Sequence, residues 1–405
     1  MLTIGGVDTI QLAAEYGTPL FVYDEAHLRA RCREVVAAFG EGAVYATKAF
    51  LCTAMARLAH EEGMRLDVAT GGEFSVARAA GVPATDLVFH GNNKSLAELR
   101  MALEQEVGCL VVDSFDEIDR IETLIGDGLK PPEVLIRITP GVEAHTHEFV
   151  RTGQDDSKFG FTVSTGAASE AVAHAETSPA MILRGIHAHI GSQVFRDESY
   201  AEALGVIAAF TGPDQFEEVS IGGGLGVAYV EGEEAPTITR WAETIRAAAA
   251  QHGLRSRISV EPGRAITALA AVTLYTVGTI KVIPGIRTYV AVDGGMSDNP
   301  RPVLYGSGYE TFLPGAVKAP RTREIRLVGK HCETGDVLVS AGWLPVDVEV
   351  GDIVATPVTG AYGHSMGSNY NKVLRPAVVF VADGEARLVV RRETYDDLLV
   401  TDLGP

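Results

Sequence analysis

The chain has 405 residues, more than one ordinary hydrophobic core holds together, so two domains are expected. Its 53 acidic against 34 basic residues leave a net charge of −19, a field that repels a phosphate backbone and argues against nucleic acid as a partner. For the same reason any bound anion needs a local group of donors, while four scattered cysteines (Cys32, Cys52, Cys109, Cys332) with no C-x-x-C pair argue against a disulfide framework and a zinc ribbon.

Composition is that of a globular protein, with 46% hydrophobic and 21% charged residues. There is no basic-then-apolar leader and no apolar run of bilayer length, so a soluble, cytoplasmic protein without membrane association is expected. The opening segment, Pro19–Tyr23 especially, reads as extended. The first apolar run proper, 43–46, leads into Thr47 and Lys48. A lysine at the end of a buried strand is either an ion-pair partner or a chemical amine able to condense with a carbonyl, and spacing alone favours the ion pair.

Further short runs follow at 65–68, 87–89, 109–112, 134–138, 185–190, 218–221 and 258–260. Helix-patterned stretches separate most of them, at 53–62, 73–80, 96–106, 115–124, 167–174, 200–210 and 238–252. Strands alternating with helices imply parallel pairing, and eight such units over roughly 240 residues match a (β/α)8 barrel. A doubly wound sheet shows the same alternation. The barrel reading places chemistry just after the strands, and polar groups do collect there: Lys48, Asp67, His90 to Lys94, Asp113, Arg137, His187 to Ser192, Gly222 to Gly224, and Glu261 to Arg264.

Gly222-Gly223-Gly224 is either a tight turn or an anion nest at the usual phosphate position of a barrel. It is not a dinucleotide fingerprint, because Val227 stands where the third glycine would fall. His187 and His189 are two apart on a strand and share a face, which admits a metal pair, core packing, or a ring against a flat ligand. Glu261 needs a positive partner, either Arg264 or a protonated ring nitrogen of a ligand.

The loop from Thr139 to Gly160, with His145, His147 and Asp155-Asp156-Ser157-Lys158-Phe159-Gly160, is long enough for a lid. Beyond residue 266 the alternation gives way to strands at 272–282, 288–292, 324–327, 337–339, 353–357, 377–381 and 387–391, as in a sandwich or small barrel. This part carries polar clusters of its own: Asp293 to Tyr305, His331 to Asp336, and Gly360 to Asn371. Arginines with tyrosines and a glutamate suit an amino-acid ligand, since guanidinium forks hold carboxylates and Glu holds an ammonium. Cys332 lies among charged neighbours, unlike a structural cysteine within an apolar run.

At these residues the chain resembles the fold-type III pyridoxal-phosphate decarboxylases. Tyr45-Ala46-Thr47-Lys48 is similar to their Y-A-x-K, His189 with Gly191-Ser192 to H-x-G-S, Gly222 to Gly224 to the phosphate loop, and Glu261-Pro262-Gly263-Arg264 to E-P-G-R. Thr146 to Phe149, Ser157 to Gly160, and Gly329 to Asp336 resemble the diaminopimelate branch, with Thr334 where serine is commoner. The resemblance implies an N-terminal (β/α)8 TIM-like barrel (25–266) and a C-terminal β-sandwich or β-barrel domain formed by 1–24 and 267–405. It implies pyridoxal 5'-phosphate held by Lys48, Asp67, His189, Ser192, Gly222, Gly223, Gly224, Glu261, Gly263, Arg264 and Tyr362, and no metal. It assigns the substrate to Arg264, Arg301, Tyr305, Glu333 and Tyr362, and catalysis to Lys48 and Cys332. The implied reaction is decarboxylation of meso-2,6-diaminopimelate at its D centre to L-lysine, the last step of lysine biosynthesis. A sister decarboxylase of another basic or carrier-tethered amino acid is the alternative. The implied assembly is a homodimer with shared active sites, each taking Cys332 and Glu333 from the partner chain.

Overall fold

The structure is a computed structural model that describes residues 1–142, 154–212 and 215–404. The part of the expected lid that holds His145, His147 and the Thr146-His147-Glu148-Phe149 segment lies outside them. The chain forms two compact units, Arg31–Val227 with Ala235–Ala265, and Met1–Ala30 with Ala228–Glu234 and Ile266–Pro405.

In the first unit eight strands pair in parallel and in chain order: Val44–Ala46, Arg65–Val68, Leu87–Phe89, Cys109–Val112, Glu133–Thr139, Ile182–His187, Glu218–Ser220 and Arg257–Ser259. The last then meets the first. Val44 N–H donates to Val260 O at 3.0 Å and Val260 N–H to Gly42 O at 2.9 Å. This closure decides for the barrel over a doubly wound sheet, which leaves two open edges. Gly42 permits it, because a Cβ there would lie 2.3 Å from the Ile258 carbonyl oxygen.

The strands are buried on both faces and therefore read as continuous apolar runs rather than alternating ones. Val44, Val88, Cys109, Val111 and Leu135 form one interior cluster. Between the strands run the helices Thr53–Glu61, Gly71–Ala79, Leu96–Glu104, Phe115–Gly126, Ala167–Thr177, Glu198–Thr211 and Ile238–Gln251. Four of them start where a side-chain oxygen satisfies an orphan amide: Thr70, Ser95 (in a capping box with Glu98), Ser114 and Thr237. These caps set the length of each loop that carries a rim residue. One short strand, Phe161–Thr162, was not expected; it pairs with Glu133–Thr139.

The second unit is built on a mostly antiparallel sheet. Its order is Val337–Leu344, Arg323–Val328, Arg287–Val292, Ala271–Ile283, Leu20–Asp24, Ala377–Ala382, Glu385–Val390, with Ile353–Pro357 also paired to Ala271–Ile283. The expected extended segment near Pro19–Tyr23 is thus an interior strand. It runs antiparallel to Ala271–Ile283 and parallel to Ala377–Ala382. Leu20 and Val22 pack with Leu12, Leu274, Val379 and Val381 in the core of this unit. The helices Thr9–Tyr16 and Arg301–Tyr305 have no counterpart in the sequence expectations.

Candidate active site

In the first unit the rim residues come together as the barrel registry requires. Thr47 Oγ1 donates to the Asp67 carbonyl at 2.7 Å and ties the turn Thr47–Ala49 to the second strand. Lys48 stands exposed on that turn, although the run before it is buried. Its charge reaches the space inside the rim: it favours the ionised form of Asp67 and opposes protonation of His189. Gly263 sits against the same turn, where a Cβ would come within 2.8 Å of the Ala46 carbonyl oxygen.

A buried ion-pair lysine is found at Lys94. It is buried, and its Nζ donates to Glu117 Oε1 at 2.6 Å, Val111 O at 2.7 Å and Gly91 O at 2.8 Å. The other Glu117 oxygen accepts the Asp113 amide at 3.0 Å. Lys94→Met would strand a carboxylate in the core. Urea unfolding should show a loss of about 3–5 kcal/mol, the usual cost of breaking a buried pair from one side.

Glu261 finds its partners in histidines. His187 Nε2 lies 3.0 Å from Oε2, His90 Nε2 lies 3.2 Å from Oε1, and Ser220 Oγ donates to Oε1 at 3.2 Å. Burial opposes ionisation of Glu261, but the neighbouring His187 and His90 outweigh it and hold the carboxyl well below its usual range. Arg264, which sequence alone left as the alternative partner, donates through a guanidinium nitrogen to Ser192 Oγ at 2.9 Å. Asp67 is buried and its carboxyl is pushed up, first by burial and also by the charge of Glu261.

His187 and His189 do not act as a pair. His189 follows the end of its strand, and its Nδ1 accepts the Gly223 amide at 3.2 Å. Burial, then the charges of Lys48 and Arg137, keep it far below the ordinary histidine pKa, so its proton sits on Nε2. The Gly222 amide donates to Ser220 Oγ at 3.3 Å. Two of the three glycine amides are therefore engaged, which leaves the half-buried Gly224 amide as the available donor of the triplet. Gly224 has φ +101°, and a Cβ there would meet the Gly191 carbonyl oxygen at 2.0 Å. Only glycine lets these two loops close on each other. Gln193 fastens them further, donating to Val227 O at 2.7 Å and accepting from Val227 N at 3.2 Å.

This donor set fits pyridoxal 5'-phosphate. It offers an exposed primary amine, an amide at a glycine cradle beside a guanidinium–hydroxyl pair suited to a phosphate, and an ionised buried carboxylate suited to a protonated ring nitrogen.

Sequence reasoning placed His90 on the rim without giving it a role. The available signal was the unmet need of a buried carboxylate for more than one donor. It passed over Ser220 and Gln193, and it placed Asp113 and Arg137 on the rim without pairing them; the role of these residues lies in side-chain contacts between loops. Arg137 Nη1 is 3.4 Å from Asp113 Oδ2, and its guanidinium stacks 4.3 Å over Phe159.

In the second unit Arg301 is buried and opens a short helix that ends at half-buried Tyr305. Its guanidinium lies 4.1 Å over the ring of Tyr229, and Nη1 donates to Tyr309 Oη at 2.6 Å. Tyr362 has φ +59°, a strained backbone for an aromatic residue and a reason to suspect function. Cys332 and Glu333 are exposed on a loop with a rigid base. Asp336 accepts the amides of Met296 (2.7 Å) and His331 (2.8 Å), His331 Nε2 is 2.8 Å from Ser297 Oγ, and the Cys332 amide donates to Asn371 Oδ1 at 3.1 Å.

Comparison with known proteins agrees with the geometry. Residues 25–268 match the family model described as pyridoxal-dependent decarboxylase, pyridoxal binding domain. The diaminopimelate decarboxylase of Bacillus subtilis is 46% identical over 99% of this chain and 95% of its own length; that of Mycobacterium tuberculosis is 47% identical over 98% and 94%. Among solved structures, the diaminopimelate decarboxylase of M. jannaschii superposes with a TM-score of 0.90 at 32% identity, covering 98% of this chain and 94% of that one. The Helicobacter pylori enzyme, complexed with L-lysine, gives 0.89 at 30% identity, covering 96% and 98%. A lysine/ornithine decarboxylase from Vibrio vulnificus, at 22% identity and a TM-score of 0.79, shares the fold. With the family model matched over 25–268 and near-complete coverage of the relatives in both directions, this chain belongs to the pyridoxal-dependent decarboxylase family, in its diaminopimelate decarboxylase branch.

Proposed function

We infer that the chain catalyses the pyridoxal-phosphate-dependent decarboxylation of meso-2,6-diaminopimelate at its D centre, giving L-lysine and CO2. The observation that carries this reading is the grouping of the exposed Lys48 amine, the glycine cradle and the ionised Glu261 on one barrel rim. Full-length similarity to diaminopimelate decarboxylases, one of them in complex with L-lysine, supports the substrate.

Bound pyridoxal phosphate supplies an electron sink for the bond that breaks between Cα and the carboxylate. Lys48 would hold it through its amine. The Gly224 amide, Ser192 and Arg264 hold the phosphate, with Gly222, Gly223 and Gly263 letting the backbone approach. Glu261 keeps a proton at the ring nitrogen. Neutral His189, Asp67 and Tyr362 would be the residues that hold the ring. Arg301, Tyr305 and Glu333 grip the distal L centre, with Arg264 and Tyr362 nearer the reacting end. Cys332 gives the proton to Cα once CO2 has left.

In this reading residues 25–266 form the cofactor-binding domain, while 1–24 and 267–405 supply substrate contacts and the acid. Two chains pair as a homodimer, each lending Cys332 and Glu333 to the barrel site of the other. A cytoplasmic location belongs to the same proposal; among the described residues no helix is long and apolar enough to cross a membrane.

The test is CO2 release from a panel of amino acids. Meso-diaminopimelate should be favoured over ornithine, arginine and lysine by at least about a hundredfold in kcat/KM, since lost pairing at a buried polar site costs several kcal/mol. Comparable rates on another panel member would reassign the substrate.

A further inference from the structure

The cluster beneath Glu261 contains more polar groups than a single carboxylate needs. His90, His187, Ser220 and Asp67 are all buried around it, and the two imidazole rings meet edge to face at 4.9 Å. The contacts of the two histidines differ. His187 Nε2 is hydrogen-bonded to Oε2, and among the described residues its buried Nδ1 has no hydrogen-bond partner, the pattern of a neutral ring protonated at Nε2. His90 Nε2 is not aligned for a hydrogen bond; it sits 3.2 Å from Glu261 Oε1 and 3.8 Å from Asp67 Oδ1, the place of a cation between two carboxylates.

We propose that His90 and His187 are positioning residues that keep the shared proton on the cofactor's ring nitrogen and off Glu261, His90 by its charge and His187 by its hydrogen bond. This rests on the reading above that Glu261 faces the ring nitrogen. A carboxylate facing a protonated pyridine can itself take the proton, and the ring then loses electron-withdrawing power. A cation at 3.2 Å and an N–H donor at 3.0 Å both stabilise the ionised carboxylate and oppose that transfer. The directions of titration agree. Burial lowers the proton affinity of His90, but Asp67 and Glu261 more than restore it and raise it above the ordinary value. Burial drives His187 down to about 4, so it stays neutral. The other charged and titratable groups facing the cluster are Arg137, Lys48 and His189; Arg137 opposes the charge on both rings.

The rival occupant is a divalent cation, because one ligand atom from each of His90, His187 and Glu261 lies within 4.8 Å of the others. The experiment uses holoprotein loaded with pyridoxal phosphate carrying 15N in the ring. In the wild type the ring-nitrogen resonance should take the protonated position. His90→Gln and His187→Leu should move it towards the unprotonated position and lower kcat by about tenfold or more, the effect of one unit of proton affinity, with little change in KM. His187→Gln, which keeps an N–H near the same place, should restore most of the wild-type signal. Folded, cofactor-loaded His90→Gln and His187→Leu proteins with wild-type resonances would overturn the proposal while leaving the decarboxylase reading intact. A neutral ring nitrogen in the wild type would overturn it together with the role given to Glu261.

If the variants fail to load cofactor, the 15N-histidine spectrum of the wild-type holoprotein decides. At pH 6.5, the ordinary histidine midpoint, His90 should be mostly imidazolium and His187 neutral; a mostly neutral His90 overturns the proposal. Stoichiometric Zn2+ binding to wild-type apoprotein that is lost in His187→Leu would make the cluster a metal site and overturn it as well.

Discussion

Lys48→Ala protein is expected to fold with near wild-type stability, to carry no cofactor fixed by borohydride, and to turn over at least about a thousandfold more slowly, in the range lost with a directly participating group. Lys48 stands exposed on a short turn whose anchors are other residues: Thr47 through its hydroxyl, and Ala49, which is buried. Truncating an exposed side chain leaves no cavity, and the charge it removes is one of several acting on Asp67, so stability should fall by less than about 1 kcal/mol. Lys94 is the contrasting case, since its loss should cost stability through Glu117. A visible chromophore in the Lys48→Ala protein that borohydride still fixes would move the anchor to another amine. Lys158, exposed and 5.0 Å from the Phe159 ring centroid, would then be the next residue to replace.

That contrast shows what a one-dimensional pattern carries and what it omits. Lys48, Lys94 and Lys158 all follow strands, and spacing could not rank them. The structure separates them by the partner each side chain has, and Glu117, the partner of Lys94, is 23 residues away on a helix. The eight barrel strands were legible because strands buried on both faces are written as short apolar runs, with boundaries off by at most one residue except in the sixth, which lies three residues earlier than expected at both ends. Strand 258–260 was legible too, but its pairing with 43–44, which closes the barrel, is set by geometry across more than two hundred residues. Leu20–Asp24 could be read as extended, but not as the strand between Ala271–Ile283 and Ala377–Ala382.

Within the site, the motif residues were readable by resemblance and the residues that hold them were not. The two-residue spacing of His187 and His189 suggested a pair. The sixth strand ends at His187, so the chain turns between them, one imidazole reaching Glu261 and the other the Gly223 amide. Gln193, with φ +60°, gives no signal in its sequence neighbourhood, yet its amide locks two loops together.

Cys332→Ala protein is expected to bind cofactor as the wild type does and to lose turnover by about 10²–10⁴, the usual contribution of a positioned proton donor. No other thiol is placed to substitute. Cys32, Cys52 and Cys109 are buried, and burial pushes the Cys109 thiol up to about 12. Cys332 alone is exposed, on a loop whose base is fixed by Asp336, His331 and Asn371. Near-normal turnover in Cys332→Ala would remove it from the acid role. The same protein tests whether sites are shared. Mixed with Lys48→Ala under conditions of subunit exchange, it forms hybrid dimers in which one site draws Lys48 from one chain and Cys332 from the other. With random 1:1 exchange in a closed dimer, about one quarter of all sites are then intact, and activity should return to that level from two nearly inactive proteins. If exchange is verified by mass and activity stays at the level of the separate variants, Lys48 and Cys332 of the same chain must serve one site, and the shared-site dimer is wrong.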